Sequence, residues 1–170
     1  DPNTSSSVQY SYGVNVINAG SATITRSIIH GSRGTIEAVG VRCVDSLCIV
    51  RNNCASLDSS GYCDDDTGWD VTTNRGIRGY HNGSGATDVY GILLRNSPGS
   101  IVEQTSVSGH VGVNGACLRI DGNASGVLVR KNNLNGWGGT AHSHGIWLED
   151  CGGDAPWIVD NWSISAEGNN

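Results

Sequence analysis

The sequence predicts an all-β protein, a parallel β-helix solenoid of about six rungs with three short strands each. Three observations predict it. A short strand motif returns at positions 13, 40, 68, 91, 117 and 145, a second motif follows most copies of the first, and Gly, Asn, Ser and Asp crowd the intervals. A near-constant period of this length marks a stacked repeat, whose units bury one another's apolar faces.

The first motif comprises Gly13-Val14-Asn15-Val16, Gly40-Val41-Arg42-Cys43, Gly68-Trp69-Asp70-Val71, Gly91-Ile92-Leu93-Leu94, Cys117-Leu118-Arg119-Ile120 and Gly145-Ile146-Trp147-Leu148. Apolar residues alternate within it, which is the period of a strand, and no stretch keeps a helical period. The second motif starts at Ile24, Ile49, Val102, Val129 and Val159, with Ile77-Arg78-Gly79-Tyr80 as the nearest copy for the third rung. Weaker third strands are expected at stretches such as Thr35–Ala38 or Val111–Val113.

Neighbouring strands lie about 4.8 Å apart, so each inward side chain should rest on its equivalents above and below. Val14, Val41, Trp69, Ile92, Leu118 and Ile146 are expected to form one such column. Val16, Cys43, Val71, Leu94, Ile120 and Leu148 form its neighbour. Asn18, Asp45, Thr73, Asn96 and Asp150 fall in the turn after the first strand, while Ser27, Asn52, Thr105 and Asn132 fall in the next bend. Stacked polar side chains there can satisfy backbone groups at the corners. Gly122 and Trp162 interrupt the two columns and read as local changes of turn.

This pattern of rungs and ladder positions, over residues 12 to 166, resembles the right-handed parallel β-helix proteins of the pectin-lyase-like superfamily. The resemblance carries no catalytic signature. It implies an active groove, where there is one, along the outer face of the first sheet. By position those outer columns hold Asn15, Arg42, Asp70, Leu93, Arg119 and Trp147, then Ile17, Val44, Thr72, Arg95, Asp121 and Glu149.

Arg95, Arg119, Asp121, Trp147 and Glu149 thus fall on one patch, the candidate glycan-binding surface: an indole to stack on a sugar ring, and charges for hydroxyls or uronates. The competing reading is a ladder of cross-strand ion pairs, common in sheets. Asp121 and Glu149 lie one rung apart, near the carboxyl separation that glycosidases use. The Asn-Thr-Asp motif of β-helix polygalacturonases is absent, as is a cluster of acids for the calcium of a pectate lyase. No catalytic residue is therefore assigned, and no metal site or cofactor is expected. His142 and His144 share a strand face, but read as packing at a rung corner. Asp64-Asp65-Asp66 reads as a solvated loop.

Composition fits an extracellular or cell-surface solenoid. The chain has 25 Gly, no Met and no Phe, and 10 basic against 16 acidic residues give a net charge of −6. That argues against nucleic acid, since phosphate binding needs concentrated Lys and Arg. No run approaches the roughly 18 apolar residues that span a bilayer. Six cysteines favour an oxidising compartment, with Cys43–Cys48 and Cys54–Cys63 as the first-choice local disulfides and other pairings open. Asn-x-Ser/Thr sites at Asn3, Asn82, Asn123 and Asn161 fit surface exposure.

Residues 1–170 read as one domain, with 1–11 as an N-terminal cap or arm, and as a processed chain or a piece of a longer one. No capping helix is visible near either end. A solenoid left open exposes backbone edges, so the protein itself is the expected partner, end to end, with an extracellular polysaccharide as the second. A structural or assembly role is the leading expectation, and a carbohydrate-binding module or polysaccharide-degrading enzyme the alternative.

Overall fold

The computed structural model describes residues 8–32, 34–53, 77–80 and 87–168. Among them are thirteen strands and no helix. Each coil of the chain contributes three parallel strands. Coil one holds β1 (Tyr10–Ile17), β2 (Ser21–Thr25) and β3 (Ile29–Ser32). Coil two holds β4 (Glu37–Val44), β5 (Leu47–Arg51) and β6 (Ile77–Tyr80). Coil three holds β7 (Asp88–Arg95), β8 (Ile101–Glu103) and the first half of β9 (Ser106–Asn123). Coil four takes the second half of β9, β10 (Leu128–Arg130) and the first half of β11 (Asn133–Gly152). Coil five takes the rest of β11, β12 (Trp157–Val159) and β13 (Ser163–Gly168).

The strands pair from coil to coil in the orders β1-β4-β7-β9-β11, β2-β5-β8-β10-β12 and β3-β6-β9-β11-β13, always parallel. The protein is a parallel β-solenoid that climbs about four turns from its first to its fifth coil.

The expected sixth rung does not sit in this stack. β4 pairs directly with β7, Val41 on Ile92 and Cys43 on Leu94, which leaves no place between them. Gly68–Val71 lie outside the described residues. In chain order they fall between β5 and β6, at a corner that the other coils cross in two or three residues. A four-residue motif can satisfy strand alternation without joining the ladder. Ile77–Tyr80 is likewise a third strand, in register with Ile29–Ser32 and Val107–His110, and not a copy of the second motif. The third strands as a set are β3, β6, β13 and the first halves of β9 and β11; the first half of β9 contains Val111–Val113, whereas Thr35–Ala38 runs into β4.

The inward columns stack as the repeat requires: Val14, Val41, Ile92, Leu118 and Ile146, with Val16, Cys43, Leu94, Ile120 and Leu148 beside them. Ile24, Val50, Val102, Val129 and Ile158 supply the second wall, and Ile29, Ile77, Val107, Leu134 and Ile164 the third. Removing each such aliphatic side chain from water is worth roughly 1.5–3 kcal/mol.

Both corners depend on left-handed backbone. Asn18, Asp45, Asn96 and Asp150 turn there with φ of 47–52°, and Gly122 with φ 72°. Gly122 is therefore the same corner built from the residue with no Cβ to strain. The second corner uses Arg26, Asn52, Gln104, Lys131 and Asp160, with φ of 49–55°. The polar column next to it keeps Ser27, Thr105 and Asn132 as expected, but its coil-two member is Asn53 and not Asn52, because Ile24 pairs with Val50 and not Ile49, and its coil-five member is Asn161, because Val129 pairs with Ile158. It runs Ser27, Asn53, Thr105, Asn132, Asn161, so Trp162 interrupts nothing.

This column is an amide ladder. Asn132 Nδ2 donates to Val102 O at 2.9 Å, and its Oδ1 accepts from Thr105 N at 3.1 Å. Asn161 does the same one coil higher, to Val129 O and from Asn132 N, both at 3.1 Å. Asn53 does it one coil above Ser27, accepting from Ser27 N at 3.0 Å and donating to Ile24 O at 3.1 Å. Asn161 spends its amide here and is no free glycan acceptor. Asn123 is exposed, with its Oδ1 accepting from Ser125 N. Asn3 and Asn82 lie outside the described residues.

Cys43 and Cys48 form the expected disulfide across the Asp45 corner. Both are fully buried, and closing so short a loop stabilises by about 2 kcal/mol. Cys54 and Cys63 lie outside the described residues. Cys117 is a buried free thiol whose pKa burial pushes well up, and Cys151 is half-buried, donating to Ile120 O.

Candidate functional site

The outer face of the first sheet is bent, and the bend decides what meets what. In a straight strand, residues three apart face opposite sides. Here Tyr12, Tyr90 and His144 share the outer side with Asn15, Leu93 and Trp147, while Gly91 and Ile92, or Cys117 and Leu118, both turn inward. The His144 and Trp147 rings lie 4.9 Å apart. The strand therefore kinks at the glycine column, and the kink is concave outward. A Cβ on Gly13, Gly91 or Gly145 would run into the third-strand side chain of Ile29, Val107 or Ile164. His144 thus belongs to the outer surface, contrary to the inward parity that plain alternation gives it.

A second glycine column keeps the third strand close to this bend. Gly31, Gly79, Gly109 and Gly136 stack in register. A Cβ on any of them would strike the carbonyl of Val39, Tyr90, Ala116 or His144. The signal was in the chain as apolar-x-Gly: Ile29-His30-Gly31, Ile77-Arg78-Gly79, Val107-Ser108-Gly109 and Leu134-Asn135-Gly136.

The structure brings all five candidate residues together. Arg95 grips Asp121 with two hydrogen bonds of 2.8 Å, Nε to Oδ1 and Nη2 to Oδ2. Arg119 reaches the same carboxylate from the next column, its Nε 3.2 Å from Oδ2 in an ion-pair contact without hydrogen-bond geometry. Its Nη2 donates to Glu149 Oε2 and its Nη1 to the Tyr90 hydroxyl. The guanidinium also lies over two rings, 4.7 Å from the Trp147 centroid and 5.2 Å from that of Tyr90. Tyr90 and Trp147 meet edge to face at 6.3 Å.

A smaller version occupies the first two coils. Arg42 lies 5.2 Å over Tyr12, donates to Asn15 Oδ1 at 3.1 Å, and sits 3.9 Å from Glu37. Tyr12 donates its hydroxyl to Glu37 at 2.7 Å. Tyr12, Glu37 and Tyr90 are the residues that sequence reasoning missed. For Tyr12 and Tyr90 the signal is the three-residue offset from Asn15 and Leu93 in the outer column, visible only once the bend is known; Glu37 lies in another column, paired with Tyr10 and Asp88.

The titration of these groups follows from their partners. Burial, then the hydrogen bond to Glu37, pushes Tyr12 up to about 12. Burial raises Tyr90 further. Arg95 is held above its ordinary value by its bond to Asp121. Burial works against the charge on Arg119, yet Tyr90, Glu149 and Asp121 together hold it above its ordinary value. The cations are thus fixed in the charged state at any ordinary pH. Asp121 is nearly buried beneath two of them, and Arg119 bridges it to Glu149. Two carboxylates tied to one arginine form an ion-pair ladder. A proton-donating acid opposite a free base or nucleophile is a different arrangement. Arg119 also covers one face of Trp147, and His144 approaches it from the same outer surface.

His142 and His144 stack with centroids 6.0 Å apart. Among the described residues, no group of three or more His, Cys, Asp or Glu is placed to hold a metal ion, and no helix is long and apolar enough to cross a membrane. No family model, curated protein or solved structure matches the chain.

The ends of the solenoid offer the other candidate surface. Val14, Ile24, Ile28 and Ile29 line a cavity of about 560 Å³ that opens at coil one. Ile28 there is 61% exposed, and on coil five Trp157 is 70% and Trp162 58% exposed. Leu148 and Ile164, which continue buried columns, are also exposed. The outer edges of coil one and coil five pair with no strand among the described residues.

Proposed function

We propose that this protein is a structural solenoid of the extracellular space or cell surface that assembles through its ends. The observation that carries the reading is the pair of coils one and five, which among the described residues expose apolar side chains and unpaired strand edges where the middle coils bury both. Such edges are templates for further strands. The buried Cys43–Cys48 disulfide supports an oxidising compartment. The closed ion-pair ladder on the outer face supports a role in holding coils together in preference to turnover. A place in the right-handed, pectin-lyase-like group is part of the proposal and rests on the repeat alone. The carbohydrate-binding or polysaccharide-cleaving alternative draws on the same likeness, and on the aromatic row His142, His144 and Trp147.

Light scattering across a concentration series, with negative-stain imaging of the same sample, tests the assembly reading. Mass should rise with concentration, and rods longer than one chain should appear. A constant monomer mass at high concentration defeats the proposal. Specific sugar binding that is lost in Trp147→Ala with the fold intact would replace it with the alternative.

A further inference from the structure

We infer that the partner at each end is a second copy of this chain, docked head to tail, with coil five of one copy seated on coil one of the next in the register that joins neighbouring coils. This rests on the assembly reading above and adds the polarity and the register. Three observations carry it.

The first is column matching. In the internal register, Ile146 falls on Val14, Leu148 on Val16, Ile158 on Ile24 and Ile164 on Ile29. Every apolar column that reaches the coil-five edge meets an apolar residue around the mouth of coil one. The parallel strand edges continue at the same time.

The second is charge. Coil one, residues 8–32, carries Arg26 and no carboxylate. Coil five, residues 140–168, carries Glu149, Asp150, Asp154, Asp160 and Glu167 and no Lys or Arg; the histidines are His30 in coil one and His142 and His144 in coil five. Tail-to-tail docking would set five carboxylates against five. Head-to-tail docking sets them against the basic end, and like charges across paired strands repel.

The third is a specific contact with a precedent inside the molecule. Arg26, Asn52, Gln104, Lys131 and Asp160 form one corner column. In an assembled pair, Asp160 falls between Lys131 of its own chain and Arg26 of the next copy. In the adjacent column Glu103 is already held in this way, 2.8 Å from Arg130 and 3.9 Å from Arg51. A head-to-tail contact repeats without closing, so the product is a filament and not a dimer.

Charge reversal at this column tests the polarity. The variants are Arg26→Glu and Asp160→Arg, and Arg26 itself shows that the corner accepts an arginine at φ 51°. Each variant alone should self-associate roughly tenfold more weakly than the native chain, by concentration-dependent light scattering. An equal mixture should recover native assembly, because each variant's altered end then meets an opposite charge on the other. Circular dichroism checks that each variant folds, and Arg26→Gln, which removes the charge alone, carries the test if a reversal does not. Ile164→Lys should also block growth, while Val113→Lys, on an exposed middle-coil position, should leave it intact. If the native chain assembles and both reversals assemble equally well alone, or the mixture recovers nothing, the head-to-tail register is wrong while the assembly reading survives. If the native chain never assembles, the assembly reading fails, and this inference with it.

Discussion

The middle coils and the terminal coils are built from the same columns yet have different fates. Leu118, in coil four, is wholly buried, while Leu148, in the next column one coil higher, is 46% exposed. Val50, Val102 and Val129 are sealed, while Ile158, the next member of their column on the last second-sheet strand, is only half-buried. Nothing in the local sequence separates these residues. In a solenoid each coil is covered by its two neighbours, and nearest-neighbour terms carry the stability. Among the described residues, coil one and coil five each have one neighbouring coil. Their exposed surface is a consequence of position, and it is also the surface with the right spacing and pattern to receive another coil.

Truncation should expose this contrast most strongly. Leu118→Ala leaves a void flanked on both sides and should cost about 3 kcal/mol or more in chemical denaturation. Leu148→Ala should cost about 1 kcal/mol, since half of its side chain is already in water. Equal costs would mean that coil five is covered in solution, and measuring Leu148→Ala above and below the assembly concentration would show whether another copy covers it. The amide ladder gives the next contrast. Asn132 bonds to coils three and five and is fully buried, so Asn132→Ala leaves Thr105 N and Val102 O without partners, at about 2–3 kcal/mol. Asn161 bonds to coil four and to Val159 O of its own coil but to no coil above, and Asn161→Ala should cost about 1 kcal/mol. A reversal of that order would show that the ladder does not transmit stability along the axis.

The same distinction explains what could be read from the chain beforehand. The first-strand columns were legible because they combine a strand period with a constant repeat, and the five described copies fall in the expected register. The Cys43–Cys48 pair was legible because both cysteines flank one corner. Gly68–Val71 misled because a four-residue pattern says nothing about the ladder bonds that admit a strand to the stack. Within the polar column that holds Ser27, Thr105 and Asn132, the coil-two member was misplaced by one residue because Ile49 and Val50 are both apolar, and only pairing with Ile24 settles which faces inward. Arg95, Arg119, Asp121, Trp147 and Glu149 were correctly brought together, since two columns suffice to predict their neighbourhood. Tyr12 and Tyr90 were hidden because a bend puts two successive residues inward and overturns alternation.

The smallest expected effect lies in the same outer column and separates its end from its middle by pH. Tyr90 and Ala116 in coils three and four carry no group that titrates near neutrality, whereas His144 in coil five does. Burial lowers the His144 pKa first, and its neighbour His142 lowers it further. Arg119, stacked on Trp147, adds a fixed cation nearby, and Glu149 a carboxylate. The folded chain then binds fewer protons at His144 than the unfolded chain, whose ordinary histidine value is 6.5. Stability must therefore rise with pH through this range. The full contribution is present above about 6.5 and is lost as the pH falls toward the lowered folded value. Amide hydrogen exchange around Ile146–Leu148 should accelerate between pH 7.5 and 5.5, after correction for intrinsic rates, while exchange around Leu118–Ile120 changes less. His144→Gln should flatten the coil-five response and leave coil four unaltered. Equal pH slopes in both coils, or a slope that survives His144→Gln, would assign the effect to the net charge of the acidic end and not to this imidazole.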